Sequence, residues 1–104
     1  MTESYFQSKL IKEIKQRFPG CIVMKNDAGH NQGIPDISVL FGDRYVVLEC
    51  KRSAKAPHRP NQDYYVNHVN AMGGVARFIY PENKEEVLDD LERTFRPSGE
   101  ARIS

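Results

Sequence analysis

The sequence predicts an α/β domain: an α-β-β-β-α-β core with a mixed four-stranded sheet flanked by helices, followed by a C-terminal helix. Three observations predict it. Near the N-terminus Phe6, Leu10, Ile14 and Phe18 recur every four residues, as on one face of a helix. Residues 37–41 and 45–50 are apolar, rich in β-branched and aromatic side chains, and separated by Gly42-Asp43, a two-residue hairpin signal. A helical stretch opening at Pro60 and stopped by Gly73-Gly74 precedes a strand-like run at 75–80, so a helix carries the chain across to a fourth strand. The 104 residues make one domain, 1–104, with its core at about 2–80, a last helix at about 82–95 and a tail at 96–104.

In order, Thr2 is a suitable N-cap for a first helix running to about Arg17, with Ile11 beside its apolar stripe. Glu3 falls three residues before Phe6 and seven before Leu10, on the core side of the first turn. An acid there favours the helix dipole, and it also leans toward whatever lies beneath. Pro19-Gly20 stops the helix, and residues 21–25 read as a short strand. The polar loop 26–33, Asn-Asp-Ala-Gly-His-Asn-Gln-Gly, feeds the hairpin and carries Asn26 and His30 where strand-end loops meet ligands. Pro35 holds Ile34 extended. A basic segment without apolar pattern, 52–59, precedes the second helix, whose expected core stripe is Tyr65, Val66, Val69 and Met72, with Gln62 one turn earlier on the same face. The last helix has Val87, Leu88, Leu91 and Phe95 on its apolar side and acids on the other, and the tail is expected to fray.

The hairpin carries the chemistry. A loop of Gly42-Asp43 sets Phe41 opposite Arg44 and therefore Asp36 opposite Glu49, on one face and roughly 4.5–5.5 Å apart at Cβ. Lys51 shares that face and Cys50 points away. Two carboxylates so close repel, and a divalent cation relieves the repulsion. Mg²⁺ fits, as a hard ion that takes carboxylate oxygens and keeps several waters. An ammonium two residues along can orient or help deprotonate such a water, which makes the hairpin a candidate for metal-assisted phosphodiester hydrolysis. A solvated hairpin with Glu49 and Lys51 in water is the plain alternative for so short a motif.

The net charge of +1 conceals an asymmetry: residues 1–80 carry a net +4 and residues 81–104 a net −3. An acidic last helix thus cancels a basic body in the total, and basic residues beside the hairpin suit a phosphate backbone. Cys21 and Cys50 lack metal spacing and read as reduced core residues, consistent with a cytoplasmic protein. There is no run of eighteen apolar residues and no signal-peptide pattern, so no membrane span is expected.

Glu3, Gly33-Ile34-Pro35-Asp36, Glu49-Cys50-Lys51 and Gln62, in this order on these elements, resemble the PD-(D/E)XK nuclease superfamily, whose fold is restriction-endonuclease-like. More closely the chain looks like a VRR-NUC domain of the stand-alone bacterial or phage type, over about residues 2–80. The resemblance implies catalytic roles for Asp36, Glu49, Lys51, Glu3 and Gln62. Metal would be held by Asp36, Glu49, the Cys50 carbonyl and, directly or through water, Glu3. The ion would be Mg²⁺, with Mn²⁺ able to substitute. Lys51 would position or activate the attacking water, and Gln62 would hold a phosphate or water near it. Asn26, His30, Arg52, Lys55 and Arg59 are the expected nucleic-acid contacts. The implied substrate is branched DNA, above all four-way (Holliday) junctions cut by a homodimer in the cytoplasm of a bacterial or phage-infected cell. A monomeric flap or nicking nuclease and a non-catalytic DNA-binding module are the alternatives.

Overall fold

In the computed structural model, residues 2–27 and 32–97 are described. His30 and the end of the tail lie outside them. The element order is α1 (Glu3–Arg17), β1 (Ile22–Lys25), β2 (Ile37–Phe41), β3 (Arg44–Cys50), α2 (Pro60–Ala71), β4 (Ala76–Ile79) and α3 (Lys84–Phe95). The four strands form one sheet in the order β1-β2-β3-β4. The first three are antiparallel, and β4 joins β3 in parallel after the α2 crossover, which is the mixed sheet expected.

The hairpin register follows from its turn. Gly42 takes φ +65°, a left-handed conformation that glycine adopts without steric cost. With Phe41 opposite Arg44, the ladder runs through Val39 opposite Val46 to Ile37 opposite Leu48. Alternation then divides the sheet. Ile37, Val39, Val46, Leu48, Cys50 and Ile79 face the main core, where they meet Phe6, Leu10, Ile14 and Phe18 of the N-terminal segment and all four apolar residues of α3. Helix α2 packs against β3 and β4, with buried Val66 and Ala76 outside that main cluster. Phe18, Phe41 and Phe95 close one end with ring centroids 5.2–6.0 Å apart.

The cap on α1 is as expected: Thr2 Oγ1 accepts the Tyr5 N–H at 3.0 Å. Some boundaries move. Strand β1 begins at Ile22 rather than 21, because the Cys21 N–H donates to the Phe18 carbonyl. Helix α3 begins at Lys84, after a turn in which Asn83 caps the chain by bonding Tyr80 N–H and the Phe78 carbonyl. The stripe on α2 is thinner than its sequence suggests. Val66 is buried, Tyr65 and Val69 are half-buried, and Met72, at the helix end, is 63% exposed. Arg96 is not frayed: its guanidinium lies over Phe18 and Phe41, each 5.3 Å from the centroid, and donates to Glu92. No helix among the described residues is long and apolar enough to cross a membrane.

The charge asymmetry is settled in space as well as in number. Arg17 of α1 donates to Asp89 at 2.8 Å and lies 3.6 Å from Glu92. Arg77 of β4 pairs with Glu86 and Asp90. Lys84 reaches back to Glu13 at 3.0 Å. The acids of α3 therefore tie that helix to α1 and β4.

Candidate functional site

One residue beyond the last paired position of the hairpin stand Asp36 and Glu49, on the sheet face that α2 shares. Asp36 is fixed from both sides: its Oδ2 accepts the Cys50 N–H at 2.8 Å, and its carbonyl accepts the Asn26 N–H at 2.8 Å. Glu49 is only 2% exposed. Its Oε2 accepts from Gln62 Nε2 at 3.0 Å, while Oε1 is buried with no hydrogen-bond donor. Burial, and then the charge of Asp36, push the Glu49 carboxyl up to about 8, against the pull of Lys51. Glu3 is raised as well, first by burial at the cleft wall and then by Asp36, with Lys51 and Arg52 opposing.

Lys51 is 5% exposed, and its ammonium is held rather than free. It donates to the Pro57 carbonyl at 3.1 Å and to Gln62 Oε1 at 2.6 Å. The same Gln62 oxygen accepts the Arg59 N–H at 3.0 Å at the start of α2. One glutamine thus joins the lysine, the carboxylate and the helix start, which is how its buried amide finds partners. The Cys50 thiol points into the core, where burial pushes its pKa up, and only its backbone lies near the acids.

Glu3, Asp36, Glu49, Lys51 and Gln62 line one open cleft of about 620 Å³, with Arg52 and Arg59 also in its wall. The structure therefore brings together all five residues expected to be catalytic. Of the expected nucleic-acid contacts, Arg52 and Arg59 line the cleft, whereas Lys55 lies on the same loop outside the lining. Asn26 has a structural part: its amide donates to the Pro35 carbonyl at 2.9 Å and to Ser38 Oγ at 3.0 Å, clamping the chain as it enters the hairpin.

Gly33 of the sequence motif has a packing role, and two further contributors, Pro57 and His58, went unread in the sequence. Gly33, at φ +87°, packs so closely on Asn61 that a Cβ would lie 2.3 Å from the Asn61 Cβ, so glycine there lets α2 start beside Asp36. The Pro57 carbonyl holds Lys51. His58 pins the 52–59 loop, stacking on Phe78 with centroids 4.1 Å apart and bonding Asp63 at 3.0 Å. The Gly-x-Pro-Asp pattern was the available signal for Gly33. Neither of the other two has a local signature.

A divalent cation fits the donors present. An orphaned carboxylate oxygen, a second carboxylate opposite it and an exposed third acid are groups that gain from positive charge. Among the described residues no three His, Cys, Asp or Glu side chains are grouped so as to hold a metal ion.

No family model matches the sequence, and no curated protein matches it. The fold does match a solved structure, described as a VRR_NUC domain protein, with a TM-score of 0.72 over 90% of each chain at 15% sequence identity. The chain thus has the fold of that protein, an α/β domain with a mixed sheet flanked by helices.

Proposed function

We propose that this protein is a metal-dependent endonuclease that hydrolyses phosphodiester bonds in branched DNA. One observation carries the reading: Glu49, buried with an unpartnered oxygen against Asp36, lies beside a lysine held in place by Gln62, in a cleft walled by arginines. Keeping a buried carboxylate beside a second acid is costly, and a fold with that arrangement gains something from it. The likeness in fold to a protein described by its VRR_NUC domain supports the same reading.

Asp36, Glu49 and the Cys50 carbonyl would hold Mg²⁺ or Mn²⁺, with Glu3 completing the acidic wall through water. Such an ion supplies charge neutralisation at a phosphate and makes a water more acidic. The chain's own groups do the rest. Lys51 spends two of its three protons on Pro57 and Gln62, leaving one for the attacking water or a phosphate oxygen. Gln62 fixes that ammonium and keeps Glu49 Oε2 in place. Arg52 and Arg59 bind the non-bridging oxygens of the phosphates that flank the cut, which gives affinity with little sequence preference. In-line attack then leaves a 5′-phosphate and a 3′-hydroxyl.

We extend the proposal to four-way junctions cut by a homodimer, because symmetric incision of two strands calls for two equivalent sites. Cleavage of four-way, flap and linear DNA with Mg²⁺, side by side with Asp36→Ala, is the test. Junction cutting by the wild type alone is expected. Preferential flap cutting by a monomer moves the substrate assignment to flaps or nicks. DNA binding without cleavage of any substrate contradicts the enzyme and leaves a binding module.

A further inference from the structure

Helix α1 has three differently used sides. Phe6, Leu10 and Ile14 are buried. Glu13 and Arg17 turn toward α3 and are ion-paired with it. The outermost side, at the i, i+3, i+4, i+7 positions 5, 8, 9 and 12, carries Tyr5, Ser8, Lys9 and Lys12, all exposed. No acid interrupts it, since Glu3 lies at the cleft and Glu13 is engaged by Lys84. Tyr5 is 56% exposed, and Lys9 Nζ sits 5.4 Å above its ring.

This side begins at the cleft. Thr2 and Glu3 form part of the cleft wall, and Thr2 caps the Tyr5 N–H, so the Tyr5 backbone lies about 4.5 Å further along the helix axis. Lys12 follows about 10 Å beyond Tyr5. An aromatic face next to a cation, followed by a second cation, is the arrangement that stacks an unpaired base and then tracks its backbone. Lys12 has no partner among the described residues.

We infer that the outer side of α1 binds the DNA arm next to the cut: Tyr5 stacks on a base that has lost its neighbour at the branch point, and Lys9 and Lys12 contact the phosphates that follow. This rests on the proposed nuclease reading and deepens it, because it assigns selectivity for branched over linear DNA to Tyr5. The carboxylates supply chemistry but cannot distinguish a branch. A continuous duplex presents no bare base face to the ring.

The test is equilibrium binding of the full-length chain to labelled four-way, flap and linear duplex DNA in EDTA, where no cleavage occurs. Tyr5→Ala is expected to weaken binding to branched DNA by about tenfold, within the range of one stacked base. It should leave linear duplex within about twofold, and Tyr5→Phe should restore the preference. Lys9→Gln with Lys12→Gln is expected to weaken all three DNAs and to lower the salt slope by up to about 1.8 for duplex. Branched DNA bound equally well by Tyr5→Ala, with an unchanged salt slope in the double lysine variant, overturns the inference while leaving the nuclease reading standing. Absence of any DNA binding by the wild type overturns both.

Discussion

The molecule handles its carboxylates in two opposite ways. On α3 the acids are exposed or half-buried and met by cations: Asp89 by Arg17, Glu86 by Arg77, Asp90 by Arg77 and Arg93. At the cleft, Glu49 is buried against Asp36 and keeps an oxygen with no donor. The first arrangement fastens a helix and contributes little energy per pair, since exposed ion pairs give about 0–1 kcal/mol each. The second costs stability in the protein alone. On the proposed reading the contrast separates the acids that hold the fold from those that would receive a positive ligand, and it orders the consequences of mutation.

The largest effect is expected at Asp36. Asp36→Asn keeps an acceptor for the Cys50 N–H but removes the charge facing Glu49. Cleavage should fall by more than ~10³-fold, the scale of a lost electrostatic group at a reacting centre. The metal-free protein should become more stable, and thermal melts in EDTA check the sign. Loss of activity with loss of stability would make Asp36 a structural acid like those of α3.

Next comes Lys51→Gln, which should lower turnover by ~10²–10⁴-fold while cation binding persists. Kinetics with titrated Mg²⁺ separate the two, and unchanged turnover would remove the lysine from the chemistry. Gln62→Ala strands the Lys51 ammonium and Glu49 Oε2 together, and a buried partner left unsatisfied costs about 1–3 kcal/mol. Denaturant midpoints measure that loss.

Stability against pH sharpens the comparison further. The folded Glu49 carboxyl titrates near 8, above its ordinary value of 4.5. A raised carboxyl means that the native state holds a proton which the unfolded chain has released. Its contribution is therefore fully present below about pH 4.5 and is lost as pH rises through about 8. Metal-free wild type should lose stability across that window, and Glu49→Gln should flatten the loss. The smallest effect is expected on α3, where Asp89→Ala should cost no more than about 1 kcal/mol and leave cleavage unchanged.

The legible parts of the site were those governed by short-range rules. A two-residue turn fixes a hairpin register, and the register places Asp36, Glu49 and Lys51 on one face, as found. Helical spacing put Glu3 and Gln62 on the sides that reach the cleft. The same rules failed where the outcome depended on distant partners. Lys84 bonding Glu13, and Arg17 bonding Asp89, join residues about seventy positions apart. Met72 fits the α2 stripe by spacing, but α2 leans on the sheet at Val66, and its last turn overhangs solvent. Nothing local announces that Pro35 and Ser38 will take the Asn26 amide.

The central claim is that Asp36 and Glu49 are pressed together to receive a cation. Proton release on binding tests it most directly, because burial and the Asp36 charge push the Glu49 carboxyl toward its protonated form, and a proton must leave for it to become a ligand. Calorimetric titration of Mg²⁺ and of Mn²⁺ at pH 7, in two buffers of different ionisation enthalpy, counts the protons released. The account predicts net proton release in the wild type and none in Glu49→Gln. Binding without proton release, or no binding at this site at all, would contradict it.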